Sequence, residues 1–131
     1  MRIPNTMKIL VIDDEPVVLN GCRKVLEEDG FDVCLVPSAD EALKAMERGG
    51  IDFLLVDVKM PKHDGIYLMQ KVKEQWPDVP IIVMSGYPTP DTITDGDKMG
   101  AAAFIAKPFT PDELLETIRQ VIQKEGYHGK K

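Results

Sequence analysis

The feature that most constrains the fold of this chain is the alternation of short apolar runs with longer amphipathic stretches. A short apolar run followed by a helical pattern is typical of a βαβ unit, and repeated units build a parallel sheet. Five such units fit the sequence. The predicted strands are residues 8–12 (KILVI), 32–36 (DVCLV), 53–56 (FLLV), 81–84 (IIVM) and 103–106 (AFIA).

The composition of each strand predicts its place in the sheet. The first, third and fourth strands are nearly all apolar, which is expected of central strands that helices cover on both faces. The second and fifth strands are mixed or shorter, which suits the edges. The sequence therefore predicts an α/β fold, a doubly wound five-stranded parallel sheet of strand order 2-1-3-4-5.

Capping signals predict where the first helices begin and end. Pro16 opens an apolar pattern that stops before Gly30, as expected for a helix with proline in its first turn and glycine just past its end. Ser38 with Glu41 three residues later forms a capping box for a second helix. A third helix is predicted around the apolar positions of residues 66–72.

The last two helical segments differ in their expected strength. Thr110 with Glu113 repeats the capping box before a final helix with a continuous apolar face. Between the fourth and fifth strands, residues 88–99 contain two prolines, Gly96 and three aspartates, all poor helix formers. We therefore expect this element to be the weakest and most mobile helix.

Length and charge limit the classes of function. The chain of 131 residues has the length of one domain, whose core we expect over about residues 7–124, with flexible ends at 1–6 and 125–131. Sixteen basic and 22 acidic residues give a net charge of -6, so direct binding of nucleic acid is not expected. The sequence has no apolar run of ~20 residues and no signal-peptide pattern. We therefore expect a cytoplasmic protein that does not enter a membrane.

Cysteine and histidine give no sign of a reactive or metal site. Cys22 and Cys34 form neither a CxxC pair nor a disulfide framework, so both are expected to be reduced and structural. His63 and His128 are isolated from any Cys/His cluster, so ligation of a transition metal is not expected.

Polar side chains follow four of the predicted strands. Asp13 and Asp14 follow the first strand, Asp57 the third, Ser85 the fourth and Lys107 the fifth. In an open parallel sheet, ligands bind outside the carboxyl ends of the strands, at the point where the winding reverses. We therefore expect these five side chains to converge on one rim, although folding alone requires none of them.

The convergence of three carboxylates predicts a bound cation. Carboxylates that crowd together repel one another, and a hard divalent ion with oxygen ligands compensates the repulsion. Mg²⁺ fits best, because it takes one or two carboxylates and bridges to phosphate oxygens. A carboxylate beside Mg²⁺, with a lysine and a hydroxyl that receive oxyanions, is equipped to attack a phosphoryl group and become an acyl phosphate.

Four motifs at these positions resemble those of the receiver domain of two-component response regulators. The acidic pair lies in IDDEP (12–16), the phosphoacceptor loop in DVKMPKHDG (57–65), the hydroxyl position in MSGY (84–87) and the lysine-proline turn in AKPFT (106–110). The resemblance covers about residues 7–124 and implies a single receiver domain with the flavodoxin-like (βα)5 fold. A flavin-binding flavodoxin needs a phosphate loop after the first strand, where DDEP instead repels phosphate.

The resemblance implies a role for each carboxylate. Asp57 is the implied phosphorylated nucleophile. Asp14 is expected to ligate Mg²⁺ directly and Asp13 through water, with Asp57 and the backbone carbonyl of Lys59 completing the protein ligands. Lys59 also brings a second cation near the phosphoryl site, where retention of the phosphoryl group and interference with a hydrolytic water both stay open, as does a side chain that simply points into solvent.

The resemblance also assigns the residues around the phosphoryl group. Lys107 is expected to pair with the aspartyl-phosphate, and the Lys107-Pro108 bond is expected to be cis. Ser85 donates a hydrogen bond to a phosphoryl oxygen, and Tyr87 borders the site. Phe104 occupies the aromatic switch position of the family, although an aromatic residue there also serves plain packing.

The leading hypothesis is a phosphorylation-dependent signalling switch. It takes a phosphoryl group from a histidine kinase or a histidine phosphotransfer domain and changes its binding to a downstream output domain or protein. Such a domain catalyses its own phosphorylation and dephosphorylation but is primarily a regulatory protein. Two alternatives stay open: a Mg²⁺-dependent phosphatase or phosphotransferase acting on an external substrate, and an interaction module that is not phosphorylated.

Overall fold

The computed structural model describes residues 7–57, 64–86 and 100–124. The strands are β1 (Lys8–Ile12), β2 (Asp32–Val36), β3 (Phe53–Asp57), β4 (Ile81–Ser85) and β5 (Ala103–Ala106). The helices of the described part are α1 (Pro16–Glu28), α2 (Ala39–Arg48), α3 (Asp64–Gln75) and α4 (Pro111–Lys124).

The five strands form one parallel sheet of order β2-β1-β3-β4-β5, which confirms the predicted topology. β1 and β3 are central and almost wholly buried, while the edge strand β2 is only partly buried. The predicted bounds hold for β1, β2 and β5. β3 and β4 each extend one residue further than predicted, to Asp57 and Ser85. The reason is that both residues still pair with the neighbouring strand, Asp57 with Met84 and Ser85 with Ala106.

Apolar side chains form one cluster on each face of the sheet, as a doubly wound fold requires. On one face, residues of α2 and α3 pack on β1 and β3, with Leu10, Met46, Leu54 and Met69 fully or almost fully buried. On the other face, residues of α1 and α4 pack on the same strands. The two clusters hold the strand ends in a fixed arrangement, and the candidate site lies on those ends.

The helix caps agree with the sequence signals. The Ser38 hydroxyl accepts a hydrogen bond from the Glu41 amide at 3.3 Å. At the start of α4 the capping box is complete, because Thr110 and Glu113 each accept a hydrogen bond from the backbone amide of the other, at 3.1 and 2.8 Å. In the described part of the chain, no helix is both long and apolar enough to cross a membrane.

Four predictions concern residues outside the described ranges. They are the role of Lys59, the role of Tyr87, the weakness of the element over residues 88–99, and the flexible ends at 1–6 and 125–131. Each stays a prediction, as do the bounds of the domain core.

Candidate functional site at the carboxyl ends of the strands

Three polar side chains are buried where the carboxyl ends of the central strands meet. Asp13 directly follows β1, Asp57 ends β3 and Ser85 ends β4, and their exposed fractions are only 0%, 4% and 2%. Parallel pairing places them on the same rim of the sheet. Buried carboxylates are costly unless a charge or hydrogen-bond donor compensates them, so this rim is specialised for polar chemistry.

Lys107 joins the site from the other end of the chain. Its backbone amide donates to the Ser85 carbonyl at 2.8 Å, which continues the pairing of β4 and β5. Its ammonium group then lies 2.8 Å from Asp13 Oδ2 and 3.2 Å from Asp57 Oδ2. The Lys107-Pro108 peptide bond is cis, which confirms the prediction.

Both oxygens of Asp13 accept hydrogen bonds. Oδ1 accepts from the Glu15 amide at 2.9 Å, and Oδ2 accepts from Lys107. Burial raises the pKa of Asp13 above its usual range, although the hydrogen bonds from Lys107 and the Glu15 backbone oppose that shift. Repulsion by the Asp57 carboxylate adds to the rise of the pKa of Asp13. Both carboxylates also share one cation, the ammonium group of Lys107.

The ammonium group of Lys107 compensates the negative charges of Asp13 and Asp57. Burial by itself lowers the pKa of Lys107, but the hydrogen bond to Asp13 and the attraction of Asp57 and Asp13 outweigh burial, so the pKa lies above its usual value. The ammonium group is therefore charged at neutral pH and remains a donor to any oxyanion that reaches Asp57.

Asp13, Asp14 and Asp57 together form a group that could hold a metal ion. One carboxylate oxygen from each lies within 4.8 Å of the others, and Asp14 is exposed while Asp13 and Asp57 are buried. Carboxylate oxygens are hard ligands of the kind that Mg²⁺ and Ca²⁺ prefer. The donor set therefore fits the expected class of cation.

Phe104 lies on β5, half-buried, and it packs against the apolar cluster that α2 and α3 share with the sheet. Its register partner in β4 is Val83, two residues before Ser85. This position supports the expected packing role of Phe104, and its role as a switch stays a prediction.

The structure adds Glu15, to which the sequence assigned no role beyond its place in the run DDEP. Its Oε1 lies 3.2 Å from the Lys107 ammonium group, and the side chain is 62% exposed. Lys107 therefore contacts three carboxylates. The third acidic letter of the run DDEP was the available signal, but a pairing across ninety-two positions of the chain is visible only after folding.

A groove opens beside the site, between α1 and the start of α4. It encloses about 760 Å³ and its lining includes Asp57, Lys107 and Glu15. Its remaining walls are mainly apolar, and they include Val17, Val18, Val25, Phe109, Pro111 and Leu114. We call it the α1–α4 groove.

Comparison with known families defines the class of this protein. The model of the response regulator receiver domain matches residues 9–119, which include all of the described strands except the first residue of β1. The chain belongs to the receiver-domain family of two-component response regulators.

Individual relatives support the same assignment. The hydrogenase transcriptional regulatory protein HoxA of Cupriavidus necator is 37% identical over 122 residues, 92% of this chain and 25% of HoxA. The transcriptional regulatory protein DltR of Streptococcus agalactiae is 32% identical over 113 residues, 86% of this chain and 50% of DltR. The chain thus spans about a quarter to a half of the length of these relatives.

Solved structures share the fold. The CheY-like response regulator receiver domain protein of Methanospirillum hungatei superposes with a TM-score of 0.86 at 29% identity, covering 92% of this chain and 97% of that chain. The predicted flavodoxin-like fold is confirmed.

Proposed function

We propose that this receiver domain is a phosphorylation-dependent switch that accepts a phosphoryl group on Asp57 from a histidine kinase or a histidine phosphotransfer domain. One observation carries the proposal: a buried carboxylate, Asp57, lies 3.2 Å from a charged lysine and within 4.8 Å of two further carboxylates. Nothing in the packing of the sheet requires this concentration of charge. It suits a site that binds an oxyanion and a divalent cation together.

Each residue has a distinct part in the transfer. A carboxylate oxygen of Asp57 attacks the phosphorus, and the leaving group departs from the opposite side. Lys107 neutralises a phosphoryl oxygen, with its charge maintained by Asp13. The hydroxyl of Ser85, buried at the end of β4, donates a hydrogen bond to another phosphoryl oxygen.

Asp13, Asp14 and Asp57 would hold Mg²⁺, together with the backbone carbonyl of Lys59. When bound, the ion neutralises the charge that develops on the phosphoryl oxygens. Both Asp13 oxygens already accept hydrogen bonds, which supports an indirect contact of Asp13 through water. The exposed Asp14 is the better direct ligand on this argument.

The product of the reaction is a change in partner binding. We propose that Ser85 and Phe104 respond to the phosphoryl group and that the change reaches a downstream output domain or protein. The transcriptional regulators HoxA and DltR, which are longer than this chain, make an output domain a natural partner. The domain itself is regulatory, acts in the cytoplasm and does not bind nucleic acid directly.

Acetyl phosphate with Mg²⁺ tests the proposal. Intact-mass spectrometry should show the mass of one added phosphoryl group, and peptide mapping should place it on Asp57. A beryllofluoride adduct should shift the amide spectrum of residues around β4 and β5. An unmodified protein with an unchanged spectrum would favour an interaction module, whereas sustained hydrolysis of an added phosphomonoester would favour a phosphatase.

A further inference from the structure

We infer that the α1–α4 groove binds the organic leaving group of a small phosphodonor and favours donors whose leaving group is apolar and aromatic. The inference rests on the proposed function, since it concerns what reacts at Asp57. It assigns to this chain a ligand subsite beside the phosphoacceptor site.

The groove is continuous with the site of chemistry. Asp57 and Lys107 line it directly, so they belong both to the acidic rim and to the groove. A donor whose phosphoryl group contacts these two residues must place the rest of its structure beside them. The attacking and leaving oxygens are roughly in line, so the leaving group lies on the far side of the phosphorus from Asp57. The groove that Asp57 and Lys107 line adjoins this position.

The walls of the groove select for apolar groups. Val17, Val18 and Val25 line it from α1, and Phe109 and Leu114 line it from the other side. Val17 is 81% exposed, so its side chain offers apolar surface that a ligand in the groove can cover. The volume of about 760 Å³ lies within the range of ~300–1,000 Å³ that is typical of small-molecule sites.

The charges of the groove orient the donor. Lys107 attracts the phosphoryl oxygens, while the Glu15 carboxylate, 3.2 Å from the same ammonium group, disfavours a second anionic group there. An acyl phosphate with a neutral, apolar acyl group meets both conditions. Its phosphoryl end contacts Lys107, and its acyl end removes apolar surface of α1 and α4 from water.

Gly21 keeps part of the groove open. It lies in the middle of α1 and lines the groove, although glycine is unfavourable in a helix interior. A Cβ atom built on Gly21 meets no other heavy atom within 4 Å. The chain therefore tolerates a side chain at this position sterically, and its absence leaves space for a ligand.

The transfer itself needs no additional reactant. An Asp57 oxygen forms a bond to phosphorus while the bond between phosphorus and the acyl oxygen breaks. The electron pair of that bond leaves with the acyl group as a carboxylate. No proton has to be moved, so a free carboxylate in the groove is the only product besides the aspartyl-phosphate.

The experiment compares benzoyl phosphate with acetyl phosphate as donors to Asp57, with Mg²⁺ present and labelling followed by intact mass. The two donors differ in intrinsic reactivity, so the quantity that decides is the ratio of their second-order rate constants. We expect Gly21→Leu, which fills the groove, to lower the benzoyl-to-acetyl ratio about tenfold, the effect of withdrawing part of a ring's buried surface. The matched control is Asn20→Leu, at an exposed neighbouring position that does not line the groove, and its ratio should equal that of the unaltered protein.

A second variant protects the test against a folding defect in Gly21→Leu. Val17→Thr replaces a methyl group of the exposed wall with a hydroxyl of nearly the same size, and the ratio should fall in the same direction, about two- to threefold. Equal ratios in all four proteins would overturn the inference and leave the groove to a macromolecular partner. Failure of both donors to label Asp57 would instead overturn the proposed function and this inference with it.

Discussion

At the candidate site, one lysine side chain forms ion pairs with several carboxylates. Lys107 contacts two acidic residues of the connection between β1 and α1, Asp13 and Glu15, and a third, Asp57, at the end of β3. The two aspartates are buried and Glu15 is exposed, so the three ion pairs are not equivalent. A buried pair loses more when one partner is removed than an exposed pair does.

Asp57→Asn should abolish phosphorylation by acetyl phosphate and leave the fold intact. The amide is no nucleophile, so intact-mass spectrometry should show no added phosphoryl group. Removing this charge also relieves the repulsion that raises the pKa of Asp13, so the melting temperature should be unchanged or higher. Full phosphoryl incorporation in this variant would disprove the assignment of Asp57.

Glu15→Gln should change rates more than stability. An exposed ion pair contributes ~0.2–1 kcal/mol, so the free energy of unfolding should fall by no more than that. The rate of labelling by anionic acetyl phosphate should rise about two- to fivefold at low salt, because a negative charge beside Lys107 is removed, and the gain should shrink at high salt.

Glu27→Gln is the matched control for this prediction, because it makes the same change of net charge at an exposed position near the end of α1. It should leave the labelling rate unchanged. Equal acceleration in both variants would show that only the net charge of the protein matters.

Cys22 should make stability depend on pH in the alkaline range. Burial raises the pKa of its thiol to about 11, whereas an unfolded cysteine has a pKa of ~8.5. The folded state therefore disfavours the thiolate, and the resulting stability is present below the unfolded pKa and is lost as pH rises from ~8.5 toward that of the folded protein.

Urea unfolding of the protein and of Cys22→Ala across this pH window measures the effect. The stability difference between the two should shrink as pH rises, while the half-buried Cys34, as Cys34→Ala, serves as the control. A stability difference that stays constant with pH would show that burial does not raise the pKa of the Cys22 thiol.

At the scale of helices and strands, most of the structure was predictable from local sequence patterns. The strands were predictable because β1, β3 and β4 are continuous apolar runs that helices cover on both faces. The sequence predicted that Asp57 and Ser85 follow β3 and β4, whereas they are the last residues of those strands. The reason is that a polar residue after an apolar run normally marks the end of the strand. Local patterns also predicted the caps at Ser38 and Thr110 correctly.

The features that the sequence did not predict depend on the packing of elements that are distant in the chain. Glu15 approaches Lys107 only because α1 and the turn after β5 lie on the same rim. The α1–α4 groove is the space between two helices at opposite ends of the chain, and no local pattern encodes its width. The convergence of Asp13, Asp57 and Lys107 was predictable, because the topology of a parallel sheet brings its strand ends together.

The capping box of α4 should stabilise the element that follows Lys107. Thr110→Ala removes the acceptor for the Glu113 amide, 3.1 Å away, so the free energy of unfolding should fall by ~1 kcal/mol. Thr117→Ala is a matched control inside the same helix, where the hydroxyl donates to the Glu113 carbonyl and alanine is a better helix former.

Thermal or urea unfolding of both variants tests this prediction. The control should cost less than the cap variant or be neutral. A Thr117→Ala loss as large as the Thr110→Ala loss would show that the hydroxyl at the cap has no special role.

For the molecule as a whole, the acidic rim opposes folding and a bound cation favours it. The chain carries a net charge of -6, and Asp13, Asp14 and Asp57 concentrate negative charge in one place. The unfolded chain spreads those charges apart and binds a divalent ion weakly. Stability should therefore rise with cation concentration as RT ln(1 + [L]/Kd), which reaches ~2.7 kcal/mol at a hundredfold excess over Kd.

Millimolar Mg²⁺ should raise the melting temperature at constant ionic strength, and Asp14→Ala should abolish the rise. Asp32→Ala removes an exposed carboxylate at the first residue of β2, the end of the strand away from the acidic rim. This variant changes the net charge by the same amount as Asp14→Ala and should keep the full response to Mg²⁺. A rise that persists in Asp14→Ala, or that disappears in both variants, would mean that Mg²⁺ acts on the overall charge of the protein. Loss in Asp14→Ala alone would locate the cation at the rim where Asp57 reacts, so that stability and phosphorylation should show the same dependence on Mg²⁺ concentration.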